Sequence, residues 1–337
     1  MLLVMPEDLR SLGEFGVIRR LRAMTSPGPG VEAGIGDDAA LVRFDGAALL
    51  TVDMLVQDVH FDLAFSAAED VGYKAMACSV SDIAAMGGRP RYAVVAFGAP
   101  SSTELTLVDG VLEGLRTAAA EFDVTLVGGD TVESPVLTIS VTVAGEPGPA
   151  GSILRSGAKP GDLLCVTGAT GGAAAGLALL RRAATDPRSA ELLDRCPELA
   201  RAHRRGRARA REGLAAATSM AHAMIDISDG LGKDAAHIAE ESGLGLRVLA
   251  GNVPAAEGVV EAASIAGTTP ERFAVGGGDD YELLIAAHPH DVDLVRDAVA
   301  PTPLTVVGEF RAGTERTVEW SDGSRDALEN VGWEHHA

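Results

Sequence analysis

Aspartates flanked by glycine or other small residues recur along this 337-residue chain. They stand in Gly34-Ile35-Gly36-Asp37-Asp38, Thr51-Val52-Asp53, Ser81-Asp82, Gly128-Gly129-Asp130, Asp226-Ile227-Ser228-Asp229-Gly230 and Gly276-Gly277-Gly278-Asp279-Asp280. Neighbouring carboxylates repel unless something positive lies between them. A hard divalent cation such as Mg2+ meets that need, because it takes carboxylate oxygens and leaves positions open for phosphate. Each motif also has a plain structural reading. Asp37-Asp38 alone reads equally well as a capped turn, and Asp53 at a strand end is as ambiguous. Ser228 or Asp229 can cap the next helix, which is compatible with function because helix N-termini bind phosphate. The glycines before Asp279 suit a backbone approaching a ligand. Asp82 is more telling: it opposes the dipole near the end of an Ala- and Met-rich helix, where a carboxylate is rarely buried without a partner. Together the motifs favour one metal-phosphate site on which they converge.

Alternating helices and strands must position these residues. Leu9, Leu12, Phe15, Ile18 and Leu21 predict an amphipathic helix over 7–24, broken by Pro27-Gly28-Pro29-Gly30. Strands over 39–44 and 47–52 are expected to form a hairpin about Asp45-Gly46. Ser66 with Glu69, and Ser101 with Glu104, read as capping boxes for helices reaching about Met86 and Phe122. Residues 91–99 read as a buried strand, 124–127 as a short one delivering Gly128-Gly129-Asp130, and 136–144 as a half-buried one. The linker falls at 147–151. Beyond it come strands over 162–167, 223–227, 245–249, 281–286 and 304–308. Helices are expected over 173–184, much of 188–218, from Asp229 to about Ser242, and over 256–266 and 291–299. The fold class is α/β (α+β), in two domains spanning 1–148 and 149–337.

Composition narrows the function. Charged residues make up 23% and hydrophobic ones 47%, ordinary for a globular chain long enough for two cores. A formal net charge of −20 argues against nucleic acid or an anionic membrane as partner, but not against phosphorylated substrates if metal ions carry positive charge to the site. Cys78, Cys165 and Cys196 are odd in number and lack C-x-x-C spacing, which suggests a reducing compartment with neither a disulfide framework nor a thiolate zinc site. The N-terminus has no basic region before its apolar residues, so no signal peptide is expected. No stretch approaches the roughly 18 apolar residues of a membrane span. The expected location is the cytoplasm.

Gly232-Lys233 is followed by Asp234 and lacks the upstream glycine of a Walker phosphate loop. Gly28-Pro29-Gly30 precedes a strand, not a helix, and is no dinucleotide fingerprint. The basic run Arg201, Arg204, Arg205, Arg207, Arg209 and Arg211 goes all round a helix, which favours a solvated surface over an anion site. Arg155, just after the linker, suits a nucleotide phosphate. His60 reads equally as a loop imidazole or a ligand contact, and His335-His336 as a tail.

In order along nearly the whole chain, these motifs resemble those of the thiamine-monophosphate kinase family, within the aminoimidazole-ribonucleotide synthetase-like superfamily. The blocks Arg155-Ser156-Gly157-Ala158-Lys159-Pro160-Gly161-Asp162 and Gly278-Asp279-Asp280-Tyr281-Glu282-Leu283 favour that family over its relatives. The resemblance implies transfer of the γ-phosphoryl group of ATP to thiamine monophosphate, giving thiamine diphosphate and ADP. It implies an N-terminal domain of mixed sheet and helices that binds ATP and Mg2+ and forms a homodimer through its sheet. A C-terminal α/β domain completes the site, with nucleotide between the two. Carried over by motif, the resemblance implies that Asp38, Thr51, Val52, Asp53, Asp82, Asp130, Asp226 and Asp229 hold several Mg2+ ions. It implies that Gly129, Asp130, Arg155 and Ser228 contact ATP, and that His60, Asp279 and Trp333 contact the thiamine phosphate. The sequence departs from the family at Val52, which can offer a metal only its carbonyl, and at Asp279, one methylene shorter than the usual Glu. The loop before the basic helix also differs, with His203-Arg204-Arg205-Gly206-Arg207 in place of a proline-bearing segment.

The chemistry suits these residues independently. A phosphate monoester with a second ionisation near 6 is largely dianionic at neutral pH, so as acceptor it needs no general base. It needs charge screening, which the cluster of Asp53, Asp82 and Asp130 with Mg2+ can supply. The rivals are a ring-closing synthetase of purine synthesis and an inactive nucleotide-binding regulator. The intact aspartate set argues against the second.

Overall fold

The structure, a computed structural model, describes residues 14–26, 28–35 and 40–333. The chain forms two compact units: Met1–Ile83 with Arg89–Glu146, and Ala84–Gly88 with Pro147–Ala337.

In the first unit, helix α1 (Glu14–Met24) is followed by β1 (Val31–Ala33) and β2 (Leu41–Val42), a small antiparallel pair. A four-stranded sheet runs in the order β3-β6-β4-β5, from β3 (Leu49–Val56), β6 (Thr138–Pro147), β4 (Gly88–Ala99) and β5 (Thr125–Glu133). Helices α2 (Ala68–Ala85) and α3 (Leu105–Glu121) belong to this half. They meet backbone to backbone, because a Cβ on Gly114 would stand 2.0 Å from the Glu69 carbonyl oxygen. Alternation along β3 separates two environments. Leu55 is buried and Thr51 and Asp53 are half-buried, whereas Leu50, Val52 and Met54 are exposed.

Several details depart from the sequence reading. Asp45-Gly46 does make a bend, but no hairpin forms about it. The two residues of β2 pair with β1, while β3 finds eight register partners along β6. Neither capping box forms: Ser66 Oγ is buried without a partner, and the residue capping α3 is Glu104, whose side chain makes no cap bond. The expected 124–127 strand continues through Gly128-Gly129-Asp130 to Glu133. Glycine permits this, since a Cβ on Gly129 would lie 2.1 Å from the Val95 carbonyl oxygen. The predicted 7–24 helix is seen as α1, and its residues 7–13 lie outside the described residues.

The second unit holds a seven-stranded sheet in the order β13-β12-β9-β11-β7-β10-β8. Its strands are β7 (Leu163–Thr167), β8 (Ala221–Asp226), β9 (Gly245–Leu249), β10 (Leu283–Ala287), β11 (Leu304–Arg311), β12 (Arg316–Glu319) and β13 (Arg325–Ala327). Its helices are α4 (Gly172–Leu180), α5 (Pro187–Arg195), α6 (Pro197–Arg205), α7 (Ala210–Ala217), α8 (Leu231–Glu241), α9 (Val259–Ala266), α10 (Pro270–Gly276) and α11 (Val292–Val299). The central strands are apolar on both faces because helices cover both. Leu164, Val166, Ile225, Leu284 and Ala286 face one core with Ile238 and Phe310. Cys165, Met224, Leu283 and Ile285 face another with Val295 and Val299. The helical stretch read over 188–218 is three helices, broken at Pro197 and at Gly206, whose φ is +63°. Cys78, Cys165 and Cys196 form no disulfide, and Cys78 and Cys165 are buried. No helix among the described residues is long and apolar enough to cross a membrane.

Candidate active site

In the first unit, β3 and α2 bring Thr51, Asp53 and Asp82 together. The Thr51 hydroxyl donates to Asp82 Oδ2 in a short contact. Burial pushes the Asp53 carboxyl up to about 6, the charge of Asp82 adds to this, and the Ser79 hydroxyl opposes it. Asp53 Oδ2 is enclosed without a hydrogen-bond partner. A pair of opposed carboxylates with an unsatisfied oxygen is a place where a hard cation lowers the energy. Asp130 is not beside this pair. It lies exposed on β5 next to Ala96, separated from β3 by two intervening strands, and its Oδ1 accepts the Thr131 N–H at 2.8 Å. Asp38 lies outside the described residues. Among the described residues, no three His, Cys, Asp or Glu side chains form a group able to hold a metal ion unaided.

In the second unit, Asp226 ends β8, the chain leaving it turns sharply before α8, and Ser228 and Asp229 lie on this turn. Its backbone is held by Asp234 in the first turn of α8: Oδ2 accepts the N–H groups of Ser228, Asp229 and Gly230 at 3.0, 3.1 and 3.1 Å. Burial, then the charges of Asp226 and Asp229, hold the Asp234 carboxyl well above the usual carboxylate range. The turn is capped from within its own helix, so neither Ser228 nor Asp229 is the N-cap; that position is Gly230. Lys233 Nζ reaches Asp229 Oδ2 at 2.8 Å. The Trp333 N–H donates to the Asp229 carbonyl oxygen at 2.7 Å.

The triple-glycine motif packs against the same turn. Asp279 donates its N–H to the Ser228 carbonyl at 2.9 Å, and Tyr281 donates its own to Ile227 at 2.9 Å. Asp279 has φ +67°, and its Oδ1 accepts the Tyr281 hydroxyl at 3.0 Å. Asp280 faces elsewhere, accepting the N–H groups of Gly171 at 2.6 Å and Ala173 at 3.3 Å where α4 begins. Burial pushes its carboxyl up to about 8 against the pull of those two donors. Glu282 binds Arg209 and takes the Thr167 hydroxyl at 2.6 Å. The motif therefore ties the turn after β8, the glycine turn at 168–172 and the segment before α7 into one framework.

These elements have counterparts in known proteins. The N-terminal domain of AIR synthase related protein matches residues 36–146, and its C-terminal domain matches residues 159–321. Thiamine-monophosphate kinase of Mycobacterium tuberculosis is 41% identical over 82% of this chain and 81% of its own length. The chain belongs to the thiamine-monophosphate kinase family. The crystal structure of thiamine-monophosphate kinase from Stenotrophomonas maltophilia superposes with a TM-score of 0.80 at 33% identity, covering 91% of this chain and 96% of that one. AaThiL complexed with AMPPCP and TMP has a TM-score of 0.74 at 29% identity, covering 99% of this chain and 100% of that one.

Within this thiamine-monophosphate kinase family member, the remaining expected residues sit on loops and strand ends. His60 follows β3, and its Nδ1 accepts the Val56 N–H at 3.0 Å. Arg155 and Ser228 are exposed, Gly129 lies in β5, and Trp333 is 54% exposed. Sequence reasoning missed Asp234, Glu282 and Arg209. Glu282 carried a signal, being an acid set directly before the buried run Leu283-Leu284-Ile285-Ala286-Ala287. Arg209 corrects the reading of 201–211 as a solvated surface: it is part of a buried ion pair, with only 16% of its side chain exposed. Nothing in a charge run marks which member turns inward.

Proposed function

We infer that this chain transfers the terminal phosphoryl group of ATP to thiamine monophosphate, giving thiamine diphosphate and ADP. The observation that carries this is the pairing of kinase relatives, one 41% identical, with a whole-length structural counterpart complexed with AMPPCP and TMP. A purine-type ring closure has no comparable support.

The residues perform distinct tasks. Arg155, Gly129 and Ser228 hold the nucleotide, Arg155 by its guanidinium and Gly129 by allowing close backbone approach. His60, Asp279 and Trp333 hold the acceptor. Because His60 Nδ1 accepts the Val56 N–H, the neutral ring carries its proton on Nε2, the nitrogen that can donate to an acceptor phosphate. Trp333 offers a face on which an aromatic ring can stack. No side chain needs to remove a proton, because the attacking phosphate oxygen is already ionised. Asp38, Thr51, Val52 through its carbonyl, Asp53, Asp82, Asp130, Asp226 and Asp229 are the positions that would hold Mg2+. The enclosed, unpartnered Oδ2 of Asp53 beside Asp82 fits such an ion. When bound, Mg2+ screens the two phosphate groups from each other and favours in-line attack.

The domain boundaries we propose are 1–148, for nucleotide, metal and dimer contacts, and 149–337, completing nucleotide and substrate binding. The exposed Leu50, Val52 and Met54 on one face of β3 support a homodimer through that sheet. We also assign the enzyme to the cytoplasm. The test is a coupled assay for ADP release with ATP, Mg2+ and thiamine monophosphate. Turnover is expected; silence there with turnover on another phosphorylated acceptor overturns the substrate assignment.

A further inference from the structure

Lys233 is not explained by phosphate chemistry, since the sequence around it is no Walker loop. Its ammonium bridges two groups that are far apart in sequence, Asp229 Oδ2 at 2.8 Å and the Trp333 carbonyl oxygen at 2.7 Å. The contact to Asp229 alone would be an ordinary pair four residues apart. The second contact distinguishes it, because it reaches a segment 100 residues further on. That segment is fitted closely to the lysine. A Cβ on Gly332 would stand 2.8 Å from the Lys233 Cβ, and Gly332 has φ +154°, which disfavours a side chain there. A Cβ on Gly232 would stand 2.8 Å from the Val331 carbonyl oxygen. The Trp333 N–H meets the Asp229 carbonyl at 2.7 Å, so backbone and ammonium grip the same residue from both sides. Trp333 as a whole stays 54% exposed. A large aromatic side chain is thus presented to solvent on a backbone that is fastened in place.

We propose that Lys233 is a positioning residue that fastens Trp333 to the Asp229 turn, so that the indole is pre-placed for the aromatic part of the acceptor. This rests on the reading of Trp333 as a thiamine contact. Fixing the residue in advance spares the ordering cost that a loose terminal segment would add to each binding event. Its signature, once Mg2+ is saturating, is a loss in acceptor binding. Lys233 touches the backbone of a substrate contact and the side chain of Asp229, a position that would hold Mg2+, but none of the reacting atoms.

The experiment uses the full chain carrying Lys233→Met, which keeps an aliphatic stem against Gly332 and deletes the cation. Quenching of tryptophan fluorescence by acrylamide is read without any substrate. Trp320 is buried, so a Trp333→Phe chain supplies the background to subtract. With the tether lost, the Trp333 quenching constant is expected to rise about twofold as the segment frays. At saturating Mg2+, KM for thiamine monophosphate should rise about tenfold while kcat stays within about twofold. Lys233→Arg, which restores a cation and several donors, should bring both values back toward the parent. Unchanged quenching in Lys233→Met overturns the tether, as does a fall in kcat with KM for thiamine monophosphate unmoved. If the parent chain does not phosphorylate thiamine monophosphate, the kinase reading fails instead, and the quenching comparison still decides the tether.

Discussion

Arg209 closes on Glu282 with two prongs: Nε donates to Oε2 at 2.8 Å, and Nη2 meets Oε1. Little of either side chain is exposed, 16% for Arg209 and 7% for Glu282. The pair also shapes its surroundings, because a Cβ on Gly168 would come within 2.2 Å of Glu282 Oε1. Removing one partner strands the other charge in a setting where burial already pushes the Glu282 carboxyl up. Arg209→Met is therefore expected to cost about 3 kcal/mol of unfolding free energy. Adding Glu282→Gln should recover most of it, since no unpaired charge remains. Urea unfolding of the single and double variants measures both, and additive losses would show that the two residues do not act as a pair.

Asp280 gives the protein a pH dependence of definite sign. Its folded carboxyl titrates at about 8, against 3.8 for the ordinary value. Between those limits the folded state keeps a proton that the unfolded state has released, so stability falls as pH rises through that window. The slope from this one group is at most about 1.4 kcal/mol per pH unit. Raising the pH from 6 to 8 should thus cost the parent on the order of 2 kcal/mol more than it costs Asp280→Asn. Denaturation curves at the two pH values check this, and parallel losses in both proteins would refute it.

Asp53 and Asp130 are expected to be indispensable for turnover and dispensable for folding. Asp53 sits beside Asp82 with an enclosed oxygen unpaired, so Asp53→Asn relieves repulsion in the metal-free protein. Its melting temperature should hold or rise while kcat falls by orders of magnitude. Asp130 is exposed and makes a local bond to Thr131, so Asp130→Asn should leave stability within about 0.5 kcal/mol and also cost orders of magnitude in kcat. Near-parental turnover in either variant removes that residue from the proposed site.

How much of this was readable in advance depends on where the determining force lies. The apolar runs at 163–167 and 283–287 declare their strands, because burial on both faces leaves no other assignment for them. The partner of β3 was not readable, because Asp45-Gly46 is a valid turn whichever sheet takes the strand that follows. The acidic motifs could be found one by one from their glycines. Their separation was hidden: β6 and β4 lie between Asp53 and Asp130, and strand order is not written in local pattern. Asp234 looked like an ordinary first-turn acid, and its three bonds to the preceding turn exist only because that turn doubles back.

The exposed face of β3 leads to the last expectation. Leu50 is 74% exposed and Met54 56%, on the same side as Val52 and directly opposite the half-buried Thr51 and Asp53. A row of apolar side chains on a sheet face is a surface that association covers. If a second copy covers it, a carboxylate placed there is desolvated without a partner and the dimer is lost. Leu50→Glu with Met54→Glu should therefore run as a monomer in light scattering at concentrations where the parent is a dimer. Neither side chain takes part in the core, so the melting temperature should change only by the loss of association. A dimer that survives both substitutions places the interface elsewhere.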